Sequence, residues 1–175
     1  MLDIPKTQKK LREAAFFFSK LHATRLDRGI ETEEVEFYLS AFISAGRSVT
    51  FALQYEAKAP YDAWFPGWAS ALREVDRDLL RSMVEQRNAT QKKGEIETEG
   101  AIEYIPVTSL ERRPGRDPHL GFQWFGPVGT PPPSVGVTVY SFDVGGTKDD
   151  VVATCRRYLS ILDRLVKDFI AAHAK

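Results

Sequence analysis

From Val151 to Ile170 an apolar side chain returns every three or four positions, through Val151, Val152, Cys155, Tyr158, Leu159, Leu162, Leu165, Val166, Phe169 and Ile170. This near-heptad stripe specifies an amphipathic helix over 148–172, and such a helix must bury its stripe against other elements. Thr147-Lys148-Asp149-Asp150 before it resembles a capping box with Asp in the usual Glu position. Three earlier segments carry the same period. Leu11, Ala14, Ala15, Phe18, Leu21 and His22 predict a helix over 6–26, opened by Asp3 and closed by Asp27-Arg28-Gly29. Val35, Tyr38, Leu39, Phe42, Ala45, Gly46, Val49 and Leu53 predict another over 31–58. Acidic Glu31, Glu33 and Glu34 suit its N-terminus, and Ala59-Pro60 is read as its stop. Trp68, Leu72, Val75, Leu79 and Met83 predict a third helix over 64–92, ended by Lys92-Lys93-Gly94.

Between the third and fourth helices the texture changes. Ile96, Thr98, Ile102, Tyr104, Ile105 and Val107, and later Val135, Val137 and Val139, have the character of strands. Glycines and the Pro131-Pro132-Pro133 run separate them. The expectation is a mainly α fold: a four-helix up-and-down bundle forming one domain over 1–175, with a β-rich insertion at 95–146. Long loops make that insertion a candidate contact for a protein partner.

Composition narrows the classes. Formal net charge is +0, so no strong electrostatic footprint for duplex nucleic acid is present. One cysteine, Cys155, excludes an internal disulfide, and three scattered histidines give no metal-ligand spacing. Neither a metal nor a cofactor is expected. No signal peptide and no apolar run long enough to span a membrane is visible, so a soluble cytoplasmic protein is expected.

The candidate chemistry sits at the end of the third helix, in Glu85-Gln86-Arg87-Asn88-Ala89-Thr90-Gln91-Lys92. Together with the second-helix run from Phe37 to Val49 and the helical order, Arg87-Asn88 resembles the motif of HEPN-family ribonucleases, which carry an Arg, a polar residue, spacers and then a His. Lys92 stands about where that His would be. The resemblance implies a homodimer in which two copies of the motif face each other and no metal is used. It assigns Arg87, Asn88 and Lys92 to the catalytic positions, and Arg87, Lys92 and Arg47 to phosphate. A guanidinium fork suits phosphate. An imidazole exchanges protons near neutral pH, whereas an unperturbed lysine stays protonated. The implied protein is therefore an impaired or non-catalytic relative that binds RNA or a nucleotide at Arg87, or a protein partner through the insertion. The alternatives are an active metal-independent ribonuclease of toxin or defence type, and a structural dimerisation module.

Plainer readings stand beside these. Arg87 and Asn88 suit a structural helix terminus, with Arg87 pairing Glu85, Glu95 or an acid of the second helix. Arg47 suits a buried or interfacial pairing group. His22 continues an apolar stripe and reads as packing; His119 in the insertion is a second source of imidazole. Phe16, Phe17, Phe18, Trp64, Phe65 and Trp68 read as core, and Phe122, Trp124 and Phe125 as the insertion's own small core or a contact surface. Asp143-Val144-Gly145-Gly146-Thr147-Lys148 resembles the phosphate-binding turn of actin-like sugar kinases, but too little chain follows it for that fold, and a strand end plus helix cap explains it.

Overall fold

A computed structural model describes residues 3–24, 32–93, 96, 98–106, 131, 134–144 and 147–173. The predicted features at His119, Phe122, Trp124, Phe125, Glu95 and Asp27-Arg28-Gly29 lie outside the described residues. The described elements are α1 (Pro5–Thr24), α2 (Thr32–Glu56), α3 (Lys58–Ala71), α4 (Glu74–Lys93), β1 (Glu99–Pro106), β2 (Ser134–Val144), β3 (Thr147–Asp150) and α5 (Val151–His173). The chain is mainly helical, with a small antiparallel sheet in the order β1-β2-β3.

The helical stripes are where the periodicity puts them. In α2, Val35, Leu39, Phe42, Ala45, Gly46, Val49 and Leu53 are buried, and in α5 the row from Val151 to Phe169 is buried. At Gly46 the two helices approach each other closely. A β-carbon there would stand 2.6 Å from the Tyr158 ring and 3.3 Å from Leu162. Tyr158 in turn meets Phe42 edge-on, with ring centroids 6.0 Å apart. Helix α1 lies along α2 and also touches α5. Its first turn carries no acid of its own. Instead Glu56, at the end of α2, accepts the backbone N–H groups of Lys6 and Thr7, each at 2.8 Å. It satisfies donors that the first turn of any helix leaves without an intrahelical acceptor.

The third predicted helix is two helices. Leu72 leaves helical geometry (φ −68°, ψ 152°), and α4 restarts at Glu74. The stripe Trp68-Leu72-Val75 therefore does not share one face: Leu72 is buried while Val75 is exposed. Pro60 lies in the first turn of α3 rather than stopping α2, since α2 ends at Glu56. Proline is tolerated there because the amides of a first helical turn have no intrahelical acceptor. Five described helices thus replace the expected four. Helix α3 packs through an aromatic cluster: Trp64 meets Phe169 edge-on at 5.3 Å, and Trp68 donates its indole N–H to Asp168 at 2.9 Å. Phe16, read as core, is exposed.

The sheet begins inside the expected insertion and passes beyond it, because Thr147–Asp150 forms β3 instead of opening the last helix. Val144 pairs with Thr147, so β2 and β3 are antiparallel neighbours separated by two residues of sequence. The reading of Thr147-Lys148 as a helix cap after a strand end is thereby corrected: these residues continue the sheet as β3. The cap of α5 is Asp150, whose carboxylate accepts the Ala153 backbone N–H. Along β1 and β2, Gly100 faces Tyr140 and Gly136 faces Tyr104. Each tyrosine ring lies over the glycine opposite, 3.1 Å and 3.5 Å from where a β-carbon would stand.

Candidate functional site

Arg87, Asn88 and Lys92 all lie in the last two turns of α4. Arg87 is half-buried, while Asn88 and Lys92 are exposed. The Arg87 guanidinium approaches the Asn88 side-chain oxygen at 3.4 Å, which is long for a hydrogen bond. Asn88 and Lys92 are four residues apart and share a helix face, whereas Arg87 is turned roughly 100° away from Asn88. Among the described residues no carboxylate lies within ion-pair distance of Arg87, so the expected pairing with Glu85 or an α2 acid is not formed.

Arg47 stands elsewhere. It lies in α2 beside a cavity of about 290 Å³ lined by Thr50, Phe51, Gln54, Tyr61, Asp62, Phe65 and Pro66. All of these belong to α2 or α3, so this site does not include the end of α4. The Arg47 guanidinium lies 4.1 Å over the Phe51 ring and donates to the Thr50 hydroxyl at 2.9 Å. The cation is held in place by an aromatic face and a neutral acceptor. Among the described residues it has no ion-paired carboxylate. The acid in the lining, Asp62, is committed: Lys58 and Gln54 each donate to it at 2.7 Å. The Lys58 and Gln54 hydrogen bonds hold its carboxyl below the usual range.

Tyr61 forms the inner wall and stacks on Phe65, with ring centroids 5.0 Å apart. Burial pushes its phenol up to about 12, and the positive charge of Arg47 opposes that shift. The phenol is a neutral donor and acceptor at physiological pH. The cavity thus combines a fixed guanidinium, a hydroxyl, a carboxamide and flat aromatic walls.

A second ionic centre was not singled out from sequence. Asp76, in the first turn of α4, is 2 % exposed. It receives Arg73 at 2.9 Å, Arg157 at 2.7 Å and Arg164 at 3.9 Å. The arginines form a lid over the acid at the rim of the bundle and tie α4 to α5. The Arg73 hydrogen bond is the largest influence on Asp76 and holds its carboxyl below the usual range, against the opposing effect of burial. No sequence signal singled out Asp76, because the expected helix over 64–92 placed it in a helix interior rather than in a first turn. Its partner Arg157 lies 81 residues away in the chain, beyond any local pattern. Cys155 is buried and its thiol is pushed well up by desolvation, which makes it a packing residue. His22 is half-buried against Phe18 at 6.0 Å. Among the described residues no three carboxylate, histidine or cysteine side chains converge to hold a metal ion. No described helix is long and apolar enough to cross a membrane.

Fold and cavity together define a mainly helical protein with a small antiparallel sheet toward the C-terminus and an aromatic-walled cleft that holds Arg47 and Asp62. The chain belongs to the family of bacteriophage lambda protein ea47, whose family model matches residues 5–119. The match runs from α1 through β1 and contains the whole α2–α3 cavity, while β2, β3 and α5 lie outside it. No curated protein and no solved structure matches the chain. This membership corrects the resemblance to HEPN ribonucleases drawn from Arg87, Asn88 and the second helix. An Arg-Asn pair followed by Lys is also what an amphipathic helix carries where it leaves the core and meets solvent, and Asn88 and Lys92 are exposed in that way.

Proposed function

We propose that this chain is a binding protein for a phosphate-bearing ligand of nucleotide size, held in the α2–α3 cavity. The observation that carries the reading is Arg47: a half-buried guanidinium beside the cavity, without an ion-paired carboxylate among the described residues. A phosphate accepts from Arg47 and Gln54, and a planar base lies against Phe51 or Phe65. Charge-assisted hydrogen bonds to phosphate are among the stronger polar contacts. A 5′-phosphorylated RNA end presents the same group.

Calorimetric titration with adenosine monophosphate tests this, with inorganic phosphate and a short 5′-phosphorylated oligoribonucleotide as further arms. Arg47→Gln should weaken binding roughly tenfold to a hundredfold, the value of one charged contact at about 1.5–3 kcal/mol. Arg87→Ala should leave it unchanged. If Arg87→Ala abolishes binding and Arg47→Gln does not, the ligand sits at the end of α4 and the cavity reading fails.

A second reading concerns a protein partner, including a second copy of the chain. It is supported by Ile102 and Tyr104, which are 68 % and 75 % exposed on one face of β1. Large apolar side chains grouped on an edge strand of the described sheet suit an interface. Light scattering on Ile102→Glu against the unmodified chain tests the self-association branch: equal masses remove it.

A further inference from the structure

A groove of about 520 Å³ runs between α4, the β2–β3 hairpin and α5 on a surface separate from the Arg47 cavity. Its floor holds two hydroxyls, Ser82 and Thr154, in residues each only 8 % exposed. Among the described residues neither hydroxyl has a hydrogen-bond partner, although Thr90 and Ser48 in comparable helical settings bond back to the preceding turn. Neither oxygen is sealed from solvent, so both open on the groove.

The walls carry three acids, Asp78, Glu85 and Asp149, against two arginines, Arg81 and Arg157. Arg81 is engaged by Asp78 at 3.4 Å, and Arg157 shares the Asp76 carboxylate with Arg73 and Arg164. Glu85 and Asp149 remain, both exposed and both without an ion pair among the described residues. Val75, Leu79 and Val144 supply an apolar strip along the same groove. The acids do not converge as metal ligands do among the described residues, so the carboxylates are distributed along the groove.

We propose that this groove binds an alkylammonium ligand, with the ammonium groups on Glu85 and Asp149, N–H donors on Ser82 and Thr154, and the methylene stem along Val75, Leu79 and Val144. Long amines bury their stems on apolar surface while their charged ends stay polar-bound. A free polyamine and the lysine side chains of a peptide share that chemistry.

Titration calorimetry of the full chain with spermidine at low ionic strength is the test, with an acetylated, amidated Lys-Lys dipeptide as the second arm. Saturable binding is expected. Glu85→Gln with Asp149→Asn should weaken it about tenfold, since each exposed contact is modest. Ser82→Val with Thr154→Val should weaken it severalfold without changing net charge, and circular dichroism confirms that each variant is folded. Glu33→Gln, an acid in the first turn of α2 that does not line the groove, should have no effect. Tighter spermidine binding assigns a free polyamine, and tighter dipeptide binding assigns lysine side chains of a protein. The proposal is overturned by absence of saturable binding to either probe. It is equally overturned if Glu33→Gln weakens binding as much as the groove variants do, or if Mg²⁺, which has no alkyl stem, binds the groove as well as spermidine.

Discussion

The Glu56 carboxylate accepts both the backbone N–H and the hydroxyl of Thr7, at 2.8 and 2.7 Å, so the end of α2 caps the start of α1. Burial raises the Glu56 carboxyl, but the Thr7 and Lys6 hydrogen bonds together outweigh it and hold the group below its usual value. The contribution is present above the unfolded value near 4.5 and is lost as pH falls through the lower folded value. Glu56→Ala should cost about 1–2 kcal/mol in urea unfolding at pH 7, the range for losing a helix cap. Repeating the measurement between pH 3 and 6 should show a shallower acid limb in Glu56→Gln than in the unmodified chain.

Asp76 should be the more sensitive acid. Asp76→Asn removes a charge that Arg73, Arg157 and Arg164 surround, and should destabilise by roughly 1.5–3 kcal/mol. The arginines are 75 %, 42 % and 47 % exposed, so water takes part of their charge and the loss stays below that of a fully buried pair. Its folded carboxyl is also depressed, so stability should fall below about pH 3.8, and raised salt should weaken the effect. Thermal unfolding of both proteins across pH 3 to 7 checks the direction.

Gly46→Ala should be destabilising although alanine is the better helix former. The added β-carbon would lie 2.6 Å from a ring that Phe42 holds edge-on. Overpacking of this kind costs about 1–3 kcal/mol, against about 1 kcal/mol gained in helix propensity. Combining Gly46→Ala with Tyr158→Leu should show favourable coupling in a double-mutant cycle, because the second change removes the obstructing ring.

Tyr61 reports on Arg47. Its phenol, pushed up to about 12, should titrate late in absorbance at 295 nm, and Arg47→Gln should move it higher still by removing a nearby positive charge. The folded state keeps the phenolic proton that the unfolded state releases near 10, so this contribution is lost as pH rises above about 10. An unaltered Tyr61 titration in Arg47→Gln would show that the two groups do not interact across the cavity.

The sequence by itself determined the helices and most of the faces they bury. The stripes of α2 and α5 are long, and one rotation of the helix satisfies every apolar position, so local periodicity and burial agree. It also determined that strands begin after the third predicted helix. It did not determine the break at Leu72, where Trp68, Leu72 and Val75 keep helical spacing. There the tertiary structure decides: Leu72 turns into the core, and Asp76 takes up Arg157 from α5. It did not distinguish Thr147–Asp150 as a strand from a helix cap either, because four polar residues suit both and only pairing with β2 selects one. The candidate sites follow the same division. Arg47 was legible as a cation among apolar neighbours, but its cavity exists only because α3 folds back beside α2. The hydroxyls of Ser82 and Thr154 carry no sequence signal at all, since a groove is made by elements distant in the chain and no local period encodes it.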